Sequence, residues 1–524
     1  MPVDHWSITP RRVGADQTPG RPPADRRSVA PEPSLDLAEW SNVNAGADTD
    51  QEHPREACGV FGVYAPGQSV AHLTYDGLYA LQHRGQESAG MAVADGTDIV
   101  VIKDMGLVAN VFNEYKLASL QGHVAAGHTR YSTSGTSTWH NAQPVYRSLG
   151  ATGFALGHNG NLTNTAALAA EAGMLPGVVG SDSDLIAELL GNHLEGHPED
   201  DLVDALRGVL PRLEGAFSLV LIDHDRLVGV RDPNGFRPLC LGRLDGETET
   251  GWVLASESPA LDVIGATFVR ELNPGEMLVI DGDDHQSLLP FPAERIDPKL
   301  CIFEFVYLAR PDTRLYGAQL HGVRRRMGEL LAATCPVEAD LVMGVPDSAL
   351  PAAEGYAQAS GIPYGQGLVK NRYIGRTFIA PNQRERDAGV RRKLNPLRDT
   401  IAGKRLVVVD DSIVRGTTTR AVVRMLRDVG AVEVHLRISS PPYRWPCFYG
   451  LDTGTRGELI AAGLDVDEIR QYVGADSLAY LSLAALEQAI GVPGAGFCNA
   501  CLTGDYPVAV PLTSSKGVLE PSSV

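Results

Sequence analysis

The run of residues from 406 to 419, LVVVDDSIVRGTTT, restricts the fold of this chain more than any other segment. Its consecutive apolar residues are typical of a strand that is buried on both faces of a parallel sheet. An acidic pair, a hydroxyl-rich loop and the start of a helix follow it. Two further apolar runs, 341–345 and 434–438, are separated from this one by helical stretches. We therefore predict an α/β domain with a parallel sheet over residues 296–475.

The loop after this strand has the chemistry of a phosphate site. Backbone N–H groups and hydroxyls at a helix start can hold a phosphate, and two adjacent carboxylates suit ribose hydroxyls and Mg²⁺. The motif resembles the signature of the type I phosphoribosyltransferases, which implies that the loop binds phosphoribosyl pyrophosphate (PRPP). The PRPP-binding residues that the resemblance implies here are Asp410, Asp411, Ser412, Arg415, Gly416, Thr417, Thr418 and Thr419.

Residues 345–348, Val-Pro-Asp-Ser, follow another predicted strand and resemble the pyrophosphate loop of the same enzymes. By this resemblance Asp347 binds PRPP. Ser348 then lies near the Mg²⁺ whose carboxylate ligands are Asp410 and Asp411.

Residues 370–393 hold eight basic and two acidic side chains, although the whole chain carries a net charge of -19. On charge alone, such a block is either a solvated loop or a lid that closes over pyrophosphate. Residues 370–378 match the mobile loop of the glutamine amidophosphoribosyltransferases, which favours the lid and makes Lys370 a pyrophosphate ligand.

Residues 58–295 have a different pattern. Short strand-like runs such as 154–156, 218–222 and 252–255 alternate with Gly, Asn and Asp turns, and helical patterns occupy 73–82 and 184–194. This arrangement predicts an α+β domain of two packed sheets with helices outside.

Cys58 opens that domain. A cysteine at the start of a strand is by itself more often a small buried hydrophobe than a nucleophile. At a free N-terminus, however, it carries its own base, because an α-amine titrates near pH ~8. Downstream, Asn159 followed by Gly160 can form an oxyanion hole, although Asn-Gly alone is first of all a turn signal.

Four segments together resemble the class II glutamine amidotransferases, whose N-terminal-nucleophile domains are αββα sandwiches. They are CGVFG at 58–62, LQHRGQES at 81–88, HTRYST at 128–133 and HNGN at 158–161. The resemblance implies that Cys58 is the nucleophile and that Asn159 and Gly160 form the oxyanion hole. It also implies that Arg130 and Asp184 bind the substrate glutamine, as their opposite charges allow.

Residues 1–57 precede this cysteine and are rich in Pro, Asp, Arg and Ser without apolar periodicity, so we predict a disordered leader. Removal of the initiator Met cannot expose Cys58. We therefore expect cleavage between Ala57 and Cys58, as in family members with propeptides.

Cys498 and Cys501 form a Cys-x-x-Cys pair in the C-terminal segment, 476–524, and Cys301 and Cys447 bring the set to four. Four thiolates suit either structural Zn²⁺ or an iron–sulfur cluster, and their spacing does not decide between the two. The chain resembles, at all four positions, the amidophosphoribosyltransferases that hold a [4Fe–4S] cluster. The remaining Cys240 and Cys335 are expected to be core residues.

The two resemblances together imply that ammonia from glutamine is transferred to PRPP, giving phosphoribosylamine, glutamate and pyrophosphate at the first committed step of purine synthesis. A sugar-phosphate transamidase or an asparagine synthetase would need further domains or loops that the sequence lacks. A purine-operon repressor that senses PRPP would carry a basic DNA-binding domain and no glutaminase. The family resemblance also implies a homotetramer inhibited by purine nucleotides.

The acidic balance, 64 Asp and Glu against 45 Lys and Arg, disfavours nucleic acid and anionic membranes as partners. No run approaches the length of a membrane span, and the N-terminus lacks a signal-peptide pattern. We therefore expect a cytoplasmic enzyme.

Overall fold

The computed structural model describes residues 58–510 except 133–134, 150–151, 176–177, 246–249, 283, 372–391, 454 and 493–495. The predicted leader and most of the predicted lid lie outside the described residues. The described residues all belong to one compact unit of the chain.

The N-terminal half contains two antiparallel sheets. The first has seven strands in the order β11-β9-β10-β1-β4-β2-β3, and the second has six in the order β13-β12-β8-β7-β6-β5. The strands are β1 Gly59–Tyr64, β2 Ser88–Ala94, β3 Ile99–Met105, β4 Val124–Arg130, β5 Val145–Leu149, β6 Thr152–Leu162, β7 Gly215–Ile222, β8 Leu227–Arg231, β9 Cys240–Asp245, β10 Thr250–Ala255, β11 Thr267–Glu271, β12 Met277–Asp281 and β13 Asp284–Leu288.

Helices cover the outer faces of both sheets. They are α1 Val70–Ala80, α2 Val108–Val111, α3 Glu114–Ser119, α4 Thr165–Glu171, α5 Asp182–Gly196, α6 Leu202–Val209 and α7 Pro259–Val263. Helices α1, α2, α3 and α7 share a buried cluster with the seven-stranded sheet, and α4, α5 and α6 share one with the six-stranded sheet. A third cluster, which includes Val60 and Val220, lies between the sheets. The result is the predicted αββα sandwich.

The C-terminal half is built on a parallel sheet in the order β17-β20-β21-β22. Its strands are β17 Leu341–Gly344, β20 Arg405–Asp410, β21 Glu433–Ile438 and β22 Ser477–Tyr480, and short paired strands lie at β14 Leu300–Cys301, β15 Arg314–Leu315, β16 Ala318–Gln319, β18 Leu368–Lys370, β19 Leu394–Pro396 and β23 Phe497–Cys498. Strand β22 lies just beyond the predicted boundary at residue 475.

The helices of this half are α8 Leu320–Thr334, α9 Leu350–Ser360, α10 Arg398–Ile401, α11 Thr417–Asp428, α12 Ile460–Gly463, α13 Val466–Val473, α14 Leu483–Ile490 and α15 Ala500–Thr503, with a π-helix at Glu304–Leu308. They cover both faces of the sheet. Val407 and Val409 therefore pack into one buried cluster, while Leu406 and Val408 pack into another. This two-sided burial explains why β20 is continuously apolar.

Candidate active sites

Strand register places Cys58 beside Arg130. Gly59, the first residue of β1, pairs with Thr129 near the end of β4, so the residues on either side of that pair are neighbours. The Cys58 thiol is buried, donates to the Tyr131 carbonyl at 3.2 Å and lies 3.4 Å from the Tyr131 N–H. Burial raises the pKa of this thiol to about 11, against the lowering effect of the Tyr131 backbone and the Arg130 charge. At neutral pH the thiol is thus protonated and needs a base.

Asn159 and Gly160 lie on β6, in the sheet that faces Cys58. The Asn159 side chain is buried, and neither its Nδ2 nor its Oδ1 has a hydrogen-bond partner among the described residues. A buried amide without partners is costly unless a ligand completes it. Gly160 has a φ of 154°, and a Cβ there would lie 2.0 Å from the Ala216 carbonyl oxygen, so this position requires glycine. An unpaired amide beside a glycine N–H is suited to an oxyanion.

The two predicted glutamine ligands are held by protein contacts. Arg130 is buried and donates from Nη1 to the Thr136 carbonyl at 3.1 Å. Asp184, in the first turn of α5, accepts from Arg147 Nη2 at 2.6 Å and from the Gly180 N–H at 3.1 Å. Arg147 was not predicted from sequence. Arg147 lies on β5, and its guanidinium donates to the Asp184 carboxylate, which is expected to bind the α-ammonium of glutamine.

A buried polar network supports this pocket. Gln143 accepts from the His158 N–H at 2.8 Å and donates to the Ser183 hydroxyl at 2.9 Å, which joins the oxyanion strand to the start of α5. Burial lowers the pKa of His128 to about 3, so this ring is neutral, and its Nε2 lies 2.9 Å from the His158 carbonyl. None of these contacts could be read from spacing in the sequence.

The acidic pair lies at the carboxyl end of β20, as predicted. The Ser412 hydroxyl donates to Asp411 Oδ1 at 2.6 Å, and the Ser348 hydroxyl donates to Asp411 Oδ2. The Asp410 carboxylate accepts from the Asp411 N–H at 3.0 Å. The structure therefore brings Ser348 to the pair from a distant part of the chain, which is the arrangement that the predicted Mg²⁺ site needs.

The loop from Arg415 to Thr419 turns into α11 through Gly416, whose φ of 77° is left-handed. A Cβ at Gly416 would also lie 2.7 Å from Ile460 Cδ1. The Thr417 hydroxyl at the helix start is buried and has no partner in the described part of the chain, and Arg415 forms an ion pair with Glu458. Thr418 and Thr419 follow in the first turn. A helix start with an unpaired hydroxyl is suited to a phosphate.

Asp347 and Lys370 lie together at the mouth of this site. Lys370 Nζ is 2.9 Å from Asp347 Oδ2, and both side chains are largely exposed. Lys370 is the last residue of β18, and the remainder of the predicted lid, 372–391, lies outside the described residues.

Comparison with known proteins decides the family. The glutamine amidotransferase domain family matches residues 128–263, and the phosphoribosyl transferase domain family matches residues 317–439. The amidophosphoribosyltransferase of Mycobacterium tuberculosis is 54% identical over 483 residues, which cover 90% of this chain and 90% of that protein. The chain belongs to the amidophosphoribosyltransferase family. The amidophosphoribosyltransferase of Synechocystis is 51% identical over 493 residues, covering 93% of this chain and 99% of the relative.

Solved structures agree with this family. The glutamine PRPP amidotransferase from B. subtilis in complex with ADP and GMP is 43% identical, with a TM-score of 0.80 over 88% of this chain and 99% of that chain. A structure described as the allosteric regulatory enzyme of purine biosynthesis is 44% identical, with a TM-score of 0.81 and the same coverage. The predicted fold and the predicted reaction, transfer of ammonia from glutamine to PRPP, are thereby confirmed. Among the described residues, no helix is long and apolar enough to cross a membrane.

Buried charges join the two halves of this amidophosphoribosyltransferase. Glu304, in the π-helix, is fully buried and pairs with Arg84 Nη2 at 2.6 Å and with Arg237 Nη1 at 3.3 Å. Arg84 also pairs with Glu257. Burial raises the pKa of Glu257, but the charges of Arg84 and His83 bring it well below its usual value. Both arginines belong to the glutaminase half, so the Glu304 carboxylate of the C-terminal half pairs with two arginines across the boundary, one of which also pairs with Glu257.

The segment 447–450 lies against the oxyanion strand. Arg237 Nη2 donates to the Tyr449 carbonyl at 2.7 Å, and Asn161 Nδ2 donates to the Phe448 carbonyl at 3.0 Å. A Cβ at Gly450 would lie 3.0 Å from the carbonyl carbon of Gly160. The backbone that carries Cys447 is therefore a wall of the glutaminase site.

The four predicted cluster cysteines lie in one region. Cys301 and Cys498 are opposite each other in the register of the parallel strands β14 and β23. The Cys501 carbonyl accepts a hydrogen bond from the N–H of Trp445 at 3.0 Å, and Trp445 lies two residues before Cys447. Burial and the three neighbouring sulfurs raise the pKa of Cys501 well above its usual value. Cys240 is buried in the glutaminase core and lies outside this group.

Proposed function

We propose that the active enzyme begins at Cys58 and uses its own α-amine as the base for glutamine hydrolysis. The supporting observation is the environment of the sulfur. Among the described residues its hydrogen-bond partners are the backbone groups of Tyr131, and burial keeps the thiol protonated. A free α-amine can take that proton, whereas the amide nitrogen of an Ala57–Cys58 peptide bond cannot.

In this proposal Arg130 binds the α-carboxylate of glutamine and Asp184 binds its α-ammonium. The thiolate attacks the side-chain amide, and the oxyanion that forms receives hydrogen bonds from Asn159 Nδ2 and the Gly160 N–H. When the C–N bond breaks, the leaving nitrogen takes the proton held by the α-ammonium of Cys58 and departs as ammonia. Water then hydrolyses the resulting thioester to glutamate and the free thiol. The unpaired Asn159 Nδ2 supports this assignment, because the oxyanion would accept a hydrogen bond from it.

N-terminal sequencing tests the processing step. We expect the active enzyme to begin at Cys58, and a chain whose leader cannot be cleaved to use ammonia but not glutamine. A chain that begins Met-Cys58 is the control, because removal of Met restores the free amine without proteolysis of a leader. Glutamine-dependent activity in a chain with Met1 intact would refute the proposal.

For the second half, we propose that the loop from Arg415 to Thr419 binds the 5′-phosphate of PRPP. Asp410 and Asp411 then hold the ribose hydroxyls and, with Ser348 nearby, the Mg²⁺ that neutralises the leaving pyrophosphate. Lys370 moves from Asp347 to the pyrophosphate. Lid closure excludes water, in which ammonia would become unreactive ammonium.

We further propose that Cys301, Cys447, Cys498 and Cys501 hold a [4Fe–4S] cluster. Thiolates around one Zn²⁺, each about 2.3 Å from it, are about 3.8 Å apart. Among the described residues, the one set of three ligand atoms within 4.8 Å of each other is His193, His197 and Asp200, so the sulfurs are spaced more widely than zinc requires. A cluster of four irons would take all four thiolates as ligands, and its positive irons would stabilise thiolates that burial otherwise disfavours. Its role here is structural.

Cys447→Ser tests the cluster. We expect wild-type enzyme prepared without oxygen to contain four iron and four sulfide per chain, and the variant to lose both and to unfold at a lower temperature. Cys335→Ser, a half-buried cysteine outside the group, is the control and should retain the cluster. Zinc in place of iron in the wild type, or full iron content in Cys447→Ser, would contradict the assignment.

The B. subtilis relative was solved with ADP and GMP. We propose that purine nucleotides also inhibit this enzyme, and that it works in the cytoplasm as a homotetramer.

A further inference from the structure

We propose that His193, His197 and Asp200 form a binding site for a divalent transition metal of the Zn²⁺ class, separate from both active sites. The three residues follow one another at positions i, i+4 and i+7 at the end of α5, which ends at Gly196. One ligand atom from each side chain lies within 4.8 Å of the other two. The described part of the chain contains no second set of three that meets this condition.

The backbone holds these side chains in place. The His197 N–H donates to the His193 carbonyl at 2.9 Å and ends the helix, and the Asp200 N–H donates to the His197 carbonyl at 3.0 Å. The two imidazole rings stack with centroids 4.6 Å apart. The turn therefore brings Asp200 back to the histidines, and binding a metal requires little reordering of the chain.

The hydrogen bonds of the rings determine which ring nitrogens carry the protons. His197 Nδ1 lies 3.1 Å from the His193 carbonyl oxygen, so the ring proton is on Nδ1 and Nε2 keeps its lone pair. His193 Nε2 lies 2.8 Å from Asp200 Oδ2. A proton now joins those two atoms, and a metal ion can replace it with release of that proton.

The charges around the site favour a cation. The carboxyl end of a helix carries partial negative charge, and α5 ends at this turn. A cavity of about 570 Å³ opens beside Asp200 and is lined also by Asp201, Asp223 and Asp225. Two of these, Asp201 and Asp223, pair with Arg226, which also lines the cavity, whereas Asp200 pairs with His193. The side chains of His193 and Asp200 are 22% and 29% exposed, so an ion can reach them.

Two imidazoles and one carboxylate select Zn²⁺ and its neighbours in preference to Mg²⁺ or Ca²⁺, which prefer oxygen ligands. A metal here would fasten the end of α5 to the start of α6, since Asp201 caps α6 directly after Asp200. The opposite end of α5 carries Asp184. We infer a structural metal that stabilises the helix on which the predicted glutamine ligand lies.

Zinc titration tests the site in enzyme that carries the proposed cluster, which occupies the four cysteines, and in excess Mg²⁺, which occupies Asp410 and Asp411; this design rests on the proposed function. We expect one Zn²⁺ per chain beyond the cluster, measured by competition with a chromophoric chelator. His197→Ala and the isosteric Asp200→Asn should each weaken this binding by at least about 10- to 100-fold, the loss typical even of outer-shell partners. His285→Ala, which removes an exposed histidine of the same half, is the matched control and should bind as the wild type does.

The absorption spectrum of bound Co²⁺ distinguishes histidine and carboxylate ligands from thiolate ligands. Co²⁺ bound by histidine and carboxylate should show visible bands without the near-ultraviolet charge-transfer band of a thiolate. A thiolate band, the absence of stoichiometric binding to the wild type, or wild-type affinity in both variants would each overturn the site. Glutaminase activity that persists in His197→Ala would show that this variant folds.

Discussion

Cys58→Ala is expected to reduce glutamine-dependent formation of phosphoribosylamine by about 10⁴-fold or more, because removal of a nucleophile removes the covalent step. The same variant should retain synthesis from added ammonia, since the PRPP site is built from another part of the chain. Both rates are measured as pyrophosphate release, with glutamate release as a second readout. With glutamine as the nitrogen donor, we expect Cys58→Ala to lose the release of both glutamate and pyrophosphate. With ammonia as the donor, pyrophosphate release should remain.

Cys240→Ala is the matched control, because Cys240 is a second buried cysteine of the same half and its thiol donates to the Ala255 carbonyl at 3.2 Å. This variant should lower stability slightly and keep both activities. Equal loss of the glutamine and ammonia reactions in Cys58→Ala would indicate a folding defect. Retained glutaminase activity would show that another residue is the nucleophile.

Asp411→Asn is expected to reduce both the glutamine and the ammonia reactions by at least about 10³-fold, since a lost Mg²⁺ ligand removes several kcal/mol of charge stabilisation. In the wild type, the Ser348 and Ser412 hydroxyls each donate to one oxygen of the Asp411 carboxylate. Because an asparagine amide has only one oxygen, the variant cannot accept both hydrogen bonds in this way. Pyrophosphate release is measured with each nitrogen donor across a range of Mg²⁺ concentrations.

Asp399→Asn, at an exposed position of α10, is the control and should leave both rates unchanged. If Asp411→Asn affected only the glutamine reaction, Asp411 would belong to communication between the halves instead of the PRPP site. Near-normal rates with both donors would remove Asp411 from the Mg²⁺ assignment.

Much of the architecture could be predicted because it depends on local pattern. The apolar run of β20 specified a strand buried on both faces, and helices predicted at 73–82 and 184–194 lie at Val70–Ala80 and Asp182–Gly196. The motifs also named residues that the fold brings together. Ser348 reaches Asp411 across 63 positions of sequence, as the resemblance of its loop implied.

The rest could not be predicted because it depends on tertiary contacts. Nothing near Arg147 in sequence indicates that it pairs with Asp184, and nothing near Glu304 indicates that it pairs with Arg84, 220 positions away. Charged residues are usually exposed, and only the assembled structure shows which are buried. The cysteine spacing likewise left zinc and a cluster open.

Arg84 and Arg237 of the glutaminase half pair with Glu304 of the C-terminal half. We therefore expect the glutaminase half to be less stable as a separate fragment. A fragment that ended near residue 295 would keep two buried arginines and lose the carboxylate that pairs with both. Breaking a buried ion pair in this way costs about 3–5 kcal/mol, a large part of the stability of a typical domain. We therefore expect that replacing either half with that of a relative requires Arg84, Arg237 and Glu304 to be kept together.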